Sequence, residues 1–202
     1  MFSGAQVSLY PMSDDFVGII LGAIKALEPY RPDFRIETDD VSTLIVGPPE
    51  QIFPAMRDLF AAAAAGGAHC VLAATVSRGC PGEPDDPICT PINRSGPQTG
   101  LEERIAEARR AVAAAAPLGR DIAAQFSIYP LGMGQHMDEI YGCIKFLKSS
   151  GVFDRSKNFC TKLRGDVGPV FATLSEAFLR FGAPDGHVAM DLKVSANSPT
   201  VG

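Results

Sequence analysis

The stretch Ala5-Gln6-Val7-Ser8-Leu9-Tyr10-Pro11-Met12 returns later in the chain as Ala124-Gln125-Phe126-Ser127-Ile128-Tyr129-Pro130-Leu131, with Ala, Gln, Ser, Tyr and Pro identical. One such match could arise by chance. Further matches, however, follow in the same order at nearly the same separation. Gly22-Ala23-Ile24-Lys25-Ala26-Leu27 pairs with Gly142-Cys143-Ile144-Lys145-Phe146-Leu147, and Thr43, Gly47 and His69 pair with Thr161, Gly165 and His187. Phe53 and Phe60 likewise pair with Phe171 and Phe178. An ordered series of this kind implies an internal duplication.

Each half is read from its periodicity. Ala5 to Tyr10 alternates, with Val7 and Leu9 on one face and Gln6, Ser8 and Tyr10 on the other, which predicts a strand stopped by Pro11. Ser13 is the expected N-cap of a helix carrying Phe16, Ile20, Ile24 and Leu27 and closed by Pro29. Phe34–Thr38 and Val41–Val46 read as strands joined at Asp39-Asp40. A second amphipathic helix through Phe53, Met56, Phe60 and Ala63 ends at Gly66-Gly67, and a strand spans about His69 to Ser77. The second half gives the same βαββαβ order. Its strand Ala123–Tyr129 is followed by a helix from about Gln135 to Lys148, strands near Val152 and over Phe159–Arg164, a helix through Phe171 to Phe181, and a strand His187–Ser195. In that last strand Val188, Met190, Leu192 and Val194 alternate with Ala189, Asp191, Lys193 and Ser195, the mark of a sheet covered by helices on one face. The expected fold class is α+β: tandem ferredoxin-like, split βαβ repeats with antiparallel sheets. The expected divisions are a first repeat at 1–80, a linker at 81–120, and a second repeat at 121–202. Within the linker Leu101–Ala116 reads as a helix, expected to pack outside as a spacer.

The 202 residues carry 18 Lys plus Arg against 23 Asp plus Glu, so no basic footprint for nucleic acid exists. Hydrophobic residues make up 46% of the chain, enough for a substantial core. No apolar run reaches the roughly 20 residues of a membrane helix, and Met1-Phe2-Ser3-Gly4 lacks the features of a signal peptide, so a cytoplasmic protein is expected. The five cysteines form no CxxC pair, and His69, His136 and His187 stand apart, so no metal site is expected. His69 and His187 open equivalent strands, where hydrogen-bonded structural roles are expected. No phosphate loop, nucleophile elbow or dinucleotide-binding glycine pattern occurs. Cys80 lies in a loop after Arg78, but its counterpart is Ser198 and neither has an evident base. No catalytic residue is assigned, and the protein is expected not to be an enzyme.

Binding is better supported. Lys162 and Arg164 must face away from the helices, so the alternating Thr43 and Thr161 face inward, on the side of Val7 and Leu9 or Phe126 and Ile128. An inward hydroxyl requires a partner, either nearby backbone or an aromatic ligand held between sheet and helices. The opposite face carries Gln6, Ser8, Tyr10, Leu44, Val46, Thr75 and Ser77, then Gln125, Ser127, Tyr129, Lys193 and Ser195. Much of it is uncharged, which predicts cover by the other half or by a second subunit.

Taken together, Ser8-Leu9-Tyr10-Pro11-Met12-Ser13-Asp14-Asp15-Phe16, Ser42-Thr43, Gly79-Cys80-Pro81-Gly82, Ser127-Ile128-Tyr129-Pro130 and Val194-Ser195-Ala196-Asn197-Ser198-Pro199 resemble the YkoF family of thiamine and hydroxymethylpyrimidine binding proteins. The resemblance covers nearly the whole chain. It implies tandem ferredoxin-like, ACT-like domains, a homodimer, one vitamin site per repeat, and a link to uptake or salvage of thiamine precursors, with a vitamin transporter as a possible functional partner. No cofactor is implied beyond the ligand. Carried over by position, ligand contacts fall on Leu9 and Thr43, and on Ile128 and Thr161, with Ser8, Tyr10, Ser127 and Tyr129 beside them. Asp14 joins the first site as an acidic group able to face a cationic thiazolium. Asp14 and Asp15 align with Gly134 and Gln135, so the two sites are expected to differ. A salvage enzyme using Cys80 and a ligand-sensing interaction module are the alternatives.

Overall fold

The computed structural model describes residues 3–79, 99–131, 137–182 and 186–200. The first repeat contains β1 (Ser3–Pro11), α1 (Phe16–Ile24), β2 (Arg35–Thr38), β3 (Thr43–Val46), α2 (Pro49–Ala64) and β4 (Cys70–Arg78). A helix α3 (Leu101–Ala113) precedes the second repeat: β5 (Asp121–Leu131), α4 (Met137–Lys148), β6 (Phe153–Ser156), β7 (Thr161–Asp166), α5 (Val167–Arg180) and β8 (His187–Ala196). Both repeats have the βαββαβ order of the ferredoxin-like fold.

The repeats are joined side by side into one eight-stranded sheet, in the order β2-β3-β1-β4-β8-β5-β7-β6. Every described strand pairing is antiparallel. At the centre, Ala74 of β4 pairs with Leu192 of β8, its own counterpart by the spacing that relates His69 to His187. The junction is therefore reciprocal, as in a two-fold dimer interface. His69 Nε2 lies 3.0 Å from Ser195 Oγ, and Ser77 Oγ lies 3.1 Å from His187 Nε2, so each repeat's histidine bonds the other's serine. The phenylalanines follow the same rule: Phe53 packs on Phe178 at 5.4 Å and Phe60 on Phe171 at 6.1 Å.

The helices pack on one side of the sheet around a continuous core that includes Val7, Ile45, Leu72, Val76, Leu163, Met190 and Val194. The other half thus does not cover the helix-free face, contrary to one of the two expectations for it; the pairing of β4 with β8 places both open faces side by side. Thr75, Asp191, Lys193 and Tyr129 are exposed there.

Several boundaries differ from the sequence reading for physical reasons. Pro11 and Pro130 lie within β1 and β5. Beyond Val7 and Phe126 these strands have lost their β3 and β7 neighbours, so the missing proline N–H breaks no ladder on that side. Asp15, not Ser13, is the residue before α1, and Ser13 Oγ instead accepts from Asp15 N at 3.2 Å. Pro29 lies inside a 3-10 segment, Lys25–Tyr30, that continues α1. Val41 and Ser42 belong to the hairpin turn, because Asp39 Oδ1 accepts from both backbone amides at 2.8 Å.

Helix α3 is more than an outer spacer. Ile105, Ala108 and Val112 enter the core, and the Arg104 guanidinium, only 7% exposed, donates to both Glu139 carboxylate oxygens at 2.8 and 2.6 Å and to the Arg180 carbonyl at 2.5 Å. Glu139 also accepts from Gly182 N at 3.1 Å. The Arg104 Nε is buried without a hydrogen-bond partner. One charged pair therefore ties α3 to α4 and to the end of α5.

Candidate functional site

In the first repeat, the edge between sheet and helices opens into a cavity of about 310 Å³. Its floor is Val7 and Leu9 of β1 and Thr43 of β3; Phe16, Ile20 and Ile24 of α1 form its roof, with Leu59 of α2 at the back. The spacing Phe16, Ile20, Ile24 places one stripe of α1 over the strands. That stripe is incompletely buried: Ile20 and Ile24 are half-buried and Phe16 is exposed. Sequence reasoning read these residues only as a stripe at helical spacing, which does not distinguish a cavity roof from a filled core. The volume lies at the lower end of the about 300–1,000 Å³ of small-molecule sites.

Thr43 is nearly buried, and its hydroxyl lies 3.0 Å from the hydroxyl of Thr38, its register partner across the hairpin. A bond between two hydroxyls uses one proton and leaves the other free, together with lone pairs on both oxygens. The pair can therefore both donate to and accept from a ligand. Ser8 and Tyr10 also line the cavity, although the Ser8 hydroxyl is engaged: it donates to the Val41 carbonyl at 3.0 Å and ties the hairpin turn to β1. The remaining rim comes from the turn itself, Asp39, Asp40, Val41 and Ser42. The amides of Val41 and Ser42 hold the Asp39 carboxyl below the usual carboxylate range. These turn residues were missed as site residues because Asp39-Asp40 was read only as a turn signal. Asp14 is exposed and is not among the lining residues.

In the second repeat the counterparts of Thr43, Thr38 and Ser8 are Thr161, Ser156 and Ser127. Thr161 and Ile128 are half-buried, and Ser156 faces Thr161 across the hairpin where Thr38 faces Thr43. Ser127 Oγ donates to the Phe159 carbonyl at 2.6 Å, repeating the Ser8 strap. Tyr129 is exposed near the end of β5, and Phe159, at 91% exposure, stands at the position of Val41. Gly134, Gln135 and His136 lie outside the described residues, as does Cys80.

The described cysteines, Cys70, Cys143 and Cys160, are unpaired. Burial pushes the Cys70 thiol up to about 11, and burial together with Glu139 pushes Cys143 up to about 12, so neither supplies a thiolate near neutrality. Among the described residues no group of three or more His, Cys, Asp or Glu is placed to hold a metal ion, and no helix is long and apolar enough to cross a membrane.

The YKOF-related family model matches residues 2–83 and 121–201, one segment per repeat. A Bacillus subtilis (strain 168) protein named "Putative HMP/thiamine-binding protein YkoF" is 31% identical over 199 residues, covering 98% of this chain and 92% of its own length. With both segments of the family model falling on the two ferredoxin-like repeats, this chain belongs to the YkoF-related family.

Proposed function

We propose that the chain binds thiamine or its hydroxymethylpyrimidine part, one molecule per repeat, without transforming it. The observation that carries this reading is the cavity of about 310 Å³, which joins apolar walls to a paired threonine hydroxyl. An aminopyrimidine is flat, apolar on its faces and rich in donors and acceptors at its edge. It suits a slot between Leu9 and the Phe16–Ile20–Ile24 stripe with Thr43 at its edge. The relative named for HMP and thiamine supports the ligand class. Ile128, Thr161 and Ser127 form the second site, with Tyr10 and Tyr129 as aromatic flanks and Asp14 as an outer charge near the first.

The uncharged part of the helix-free face favours a homodimer packed through the sheets, with Tyr10 and Tyr129 near the covered area. The working role is as a cytoplasmic carrier that supplies vitamin precursor to, or receives it from, a transporter. Calorimetric titration with thiamine and hydroxymethylpyrimidine should give two sites per chain, and mass spectrometry should recover both ligands unchanged. A new product would instead favour the salvage enzyme, and no binding would favour the interaction module.

A further inference from the structure

A cavity of about 420 Å³ lies on the helical side of the sheet, where α2 of the first repeat meets α5 of the second. It shares no lining residue with the cavity of the first repeat described above. By the spacing that relates His69 to His187, Pro54 and Arg57 of α2 correspond to Ala172 and Ser175 of α5, and all four line it. The two helices thus turn equivalent positions toward one crevice at the seam between the repeats. The C-terminal part of α3 supplies Ala111, and the segment after it supplies Ala115 and Leu118, so the seam is walled on a further side. With Pro54, Phe171 and Ala172 these make the walls largely apolar, and Leu118 is half exposed beside them. The volume falls within the about 300–1,000 Å³ of small-molecule sites, which favour such junctions between domains.

Three polar side chains stand among these walls, and they differ in what remains unengaged. The Glu176 carboxylate is answered by Arg180. Arg57 donates from Nε to Asp58 Oδ1 at 2.8 Å, and Asp58 Oδ2 accepts from the Tyr30 hydroxyl at 2.6 Å, so the guanidinium is fixed at its stem. Its two terminal nitrogens have no hydrogen-bond partner among the described residues, and neither has the hydroxyl of half-buried Ser175. Terminal guanidinium N–H groups held in this way form a planar fork that matches a carboxylate.

We propose that this crevice is a separate binding site for a small carboxylic acid with an apolar body. The carboxylate sits on the Arg57 fork with the Ser175 hydroxyl beside it, and the body covers Leu118, Phe171 and the alanines. The occupant spans the seam between the repeats, and its binding is independent of any ligand in the cavity beside Thr43.

The test is calorimetric titration of the full chain with hexanoate, beside acetate, which lacks the body, and hexanol, which lacks the charge. Hexanoate should saturate one site per chain. Acetate should bind at least about tenfold more weakly, since it leaves the apolar walls uncovered. Hexanol should bind about fivefold more weakly, the upper worth of a partly exposed charge pair. Arg57→Gln should weaken hexanoate by the same about fivefold and leave hexanol unchanged. Ala111→Phe fills the crevice from α3 and should remove both; Ala172→Leu, on the α5 wall, takes its place if circular dichroism shows that Ala111→Phe is unfolded. Hexanol bound as tightly as hexanoate, or parent-like hexanoate binding by Arg57→Gln, overturns the carboxylate assignment. Absent or unsaturable binding, or binding that survives a folded crevice-filling variant, overturns the site, and none of these results touches the reading for thiamine.

Discussion

Gly22 and Gly142 occupy equivalent helical positions, yet a methyl group added at Gly22 would meet nothing within 4 Å, whereas at Gly142 it would lie 2.5 Å from Leu101 of α3. The same contrast recurs along the two repeats. Ile19 in α1 has Glu139 as its counterpart in α4, and Glu139 receives the buried Arg104. Pro48 precedes α2 without a side-chain cap; its counterpart Asp166 caps α5 and also accepts from Leu118, Gly119 and Arg120. The shared pattern builds the frame, and among the described residues α3 and the segment after it recruit polar groups in the second repeat. Helix α4 of the second repeat is held by α3, and among the described residues α1 of the first has no equivalent support.

The largest expected effect comes from breaking that support. Arg104→Met leaves the Glu139 carboxylate without its guanidinium and should cost about 3–5 kcal/mol, read as a lower urea midpoint. Adding Glu139→Ile, which restores the side chain found at Ile19, should recover most of the loss. An unchanged midpoint for Arg104→Met would show that α3 is a passive spacer after all. Gly142→Val should cost about 1–3 kcal/mol because it displaces Leu101. Gly22→Val, facing open space, should stay within about 0.5 kcal/mol, and equal effects at the two glycines would erase the asymmetry.

A smaller effect belongs to the helix caps. Asp166→Ala should cost about 1 kcal/mol at neutral pH. Burial alone would raise the Asp166 pKa, but its backbone amide donors outweigh this and leave it below the usual range. A carboxyl lowered in the folded state contributes stability that is present above its unfolded pKa and lost as pH falls through the folded one. The parent should therefore lose stability across the acidic range below the ordinary carboxylate pKa, and Asp166→Ala should lose less there. Parallel acid profiles for the two proteins would remove Asp166 as the source.

The duplication, the βαββαβ order and the inward parity of Thr43 were legible in sequence because each repeats a spacing: two residues in strands, three to four in helices, and one long offset between halves. The β4–β8 junction was not legible, since hydrogen bonds between strand edges carry no side-chain signature. Its reciprocal His69–Ser195 and His187–Ser77 bonds could have been sought from the paired histidines. Arg104 was not singled out in a helix read as an outer spacer; only the packing of α3 on α4 buries it. The cavity roof was visible as a stripe but not as a void, because periodicity reports which side a residue faces and not how far the opposing wall stands.

The central claim is that Thr43 and Thr161 mark two separate ligand sites, one in each repeat. Its most direct test is calorimetric titration of thiamine into the parent, Thr43→Val and Thr161→Val proteins, with circular dichroism confirming that each is folded. The parent should bind two molecules per chain, and each variant should lose about 0.5–3 kcal/mol of affinity at one site while keeping the other, because valine preserves shape and removes the hydroxyl. Parent-like binding at both sites in both variants would return the threonines to the core and contradict the assignment.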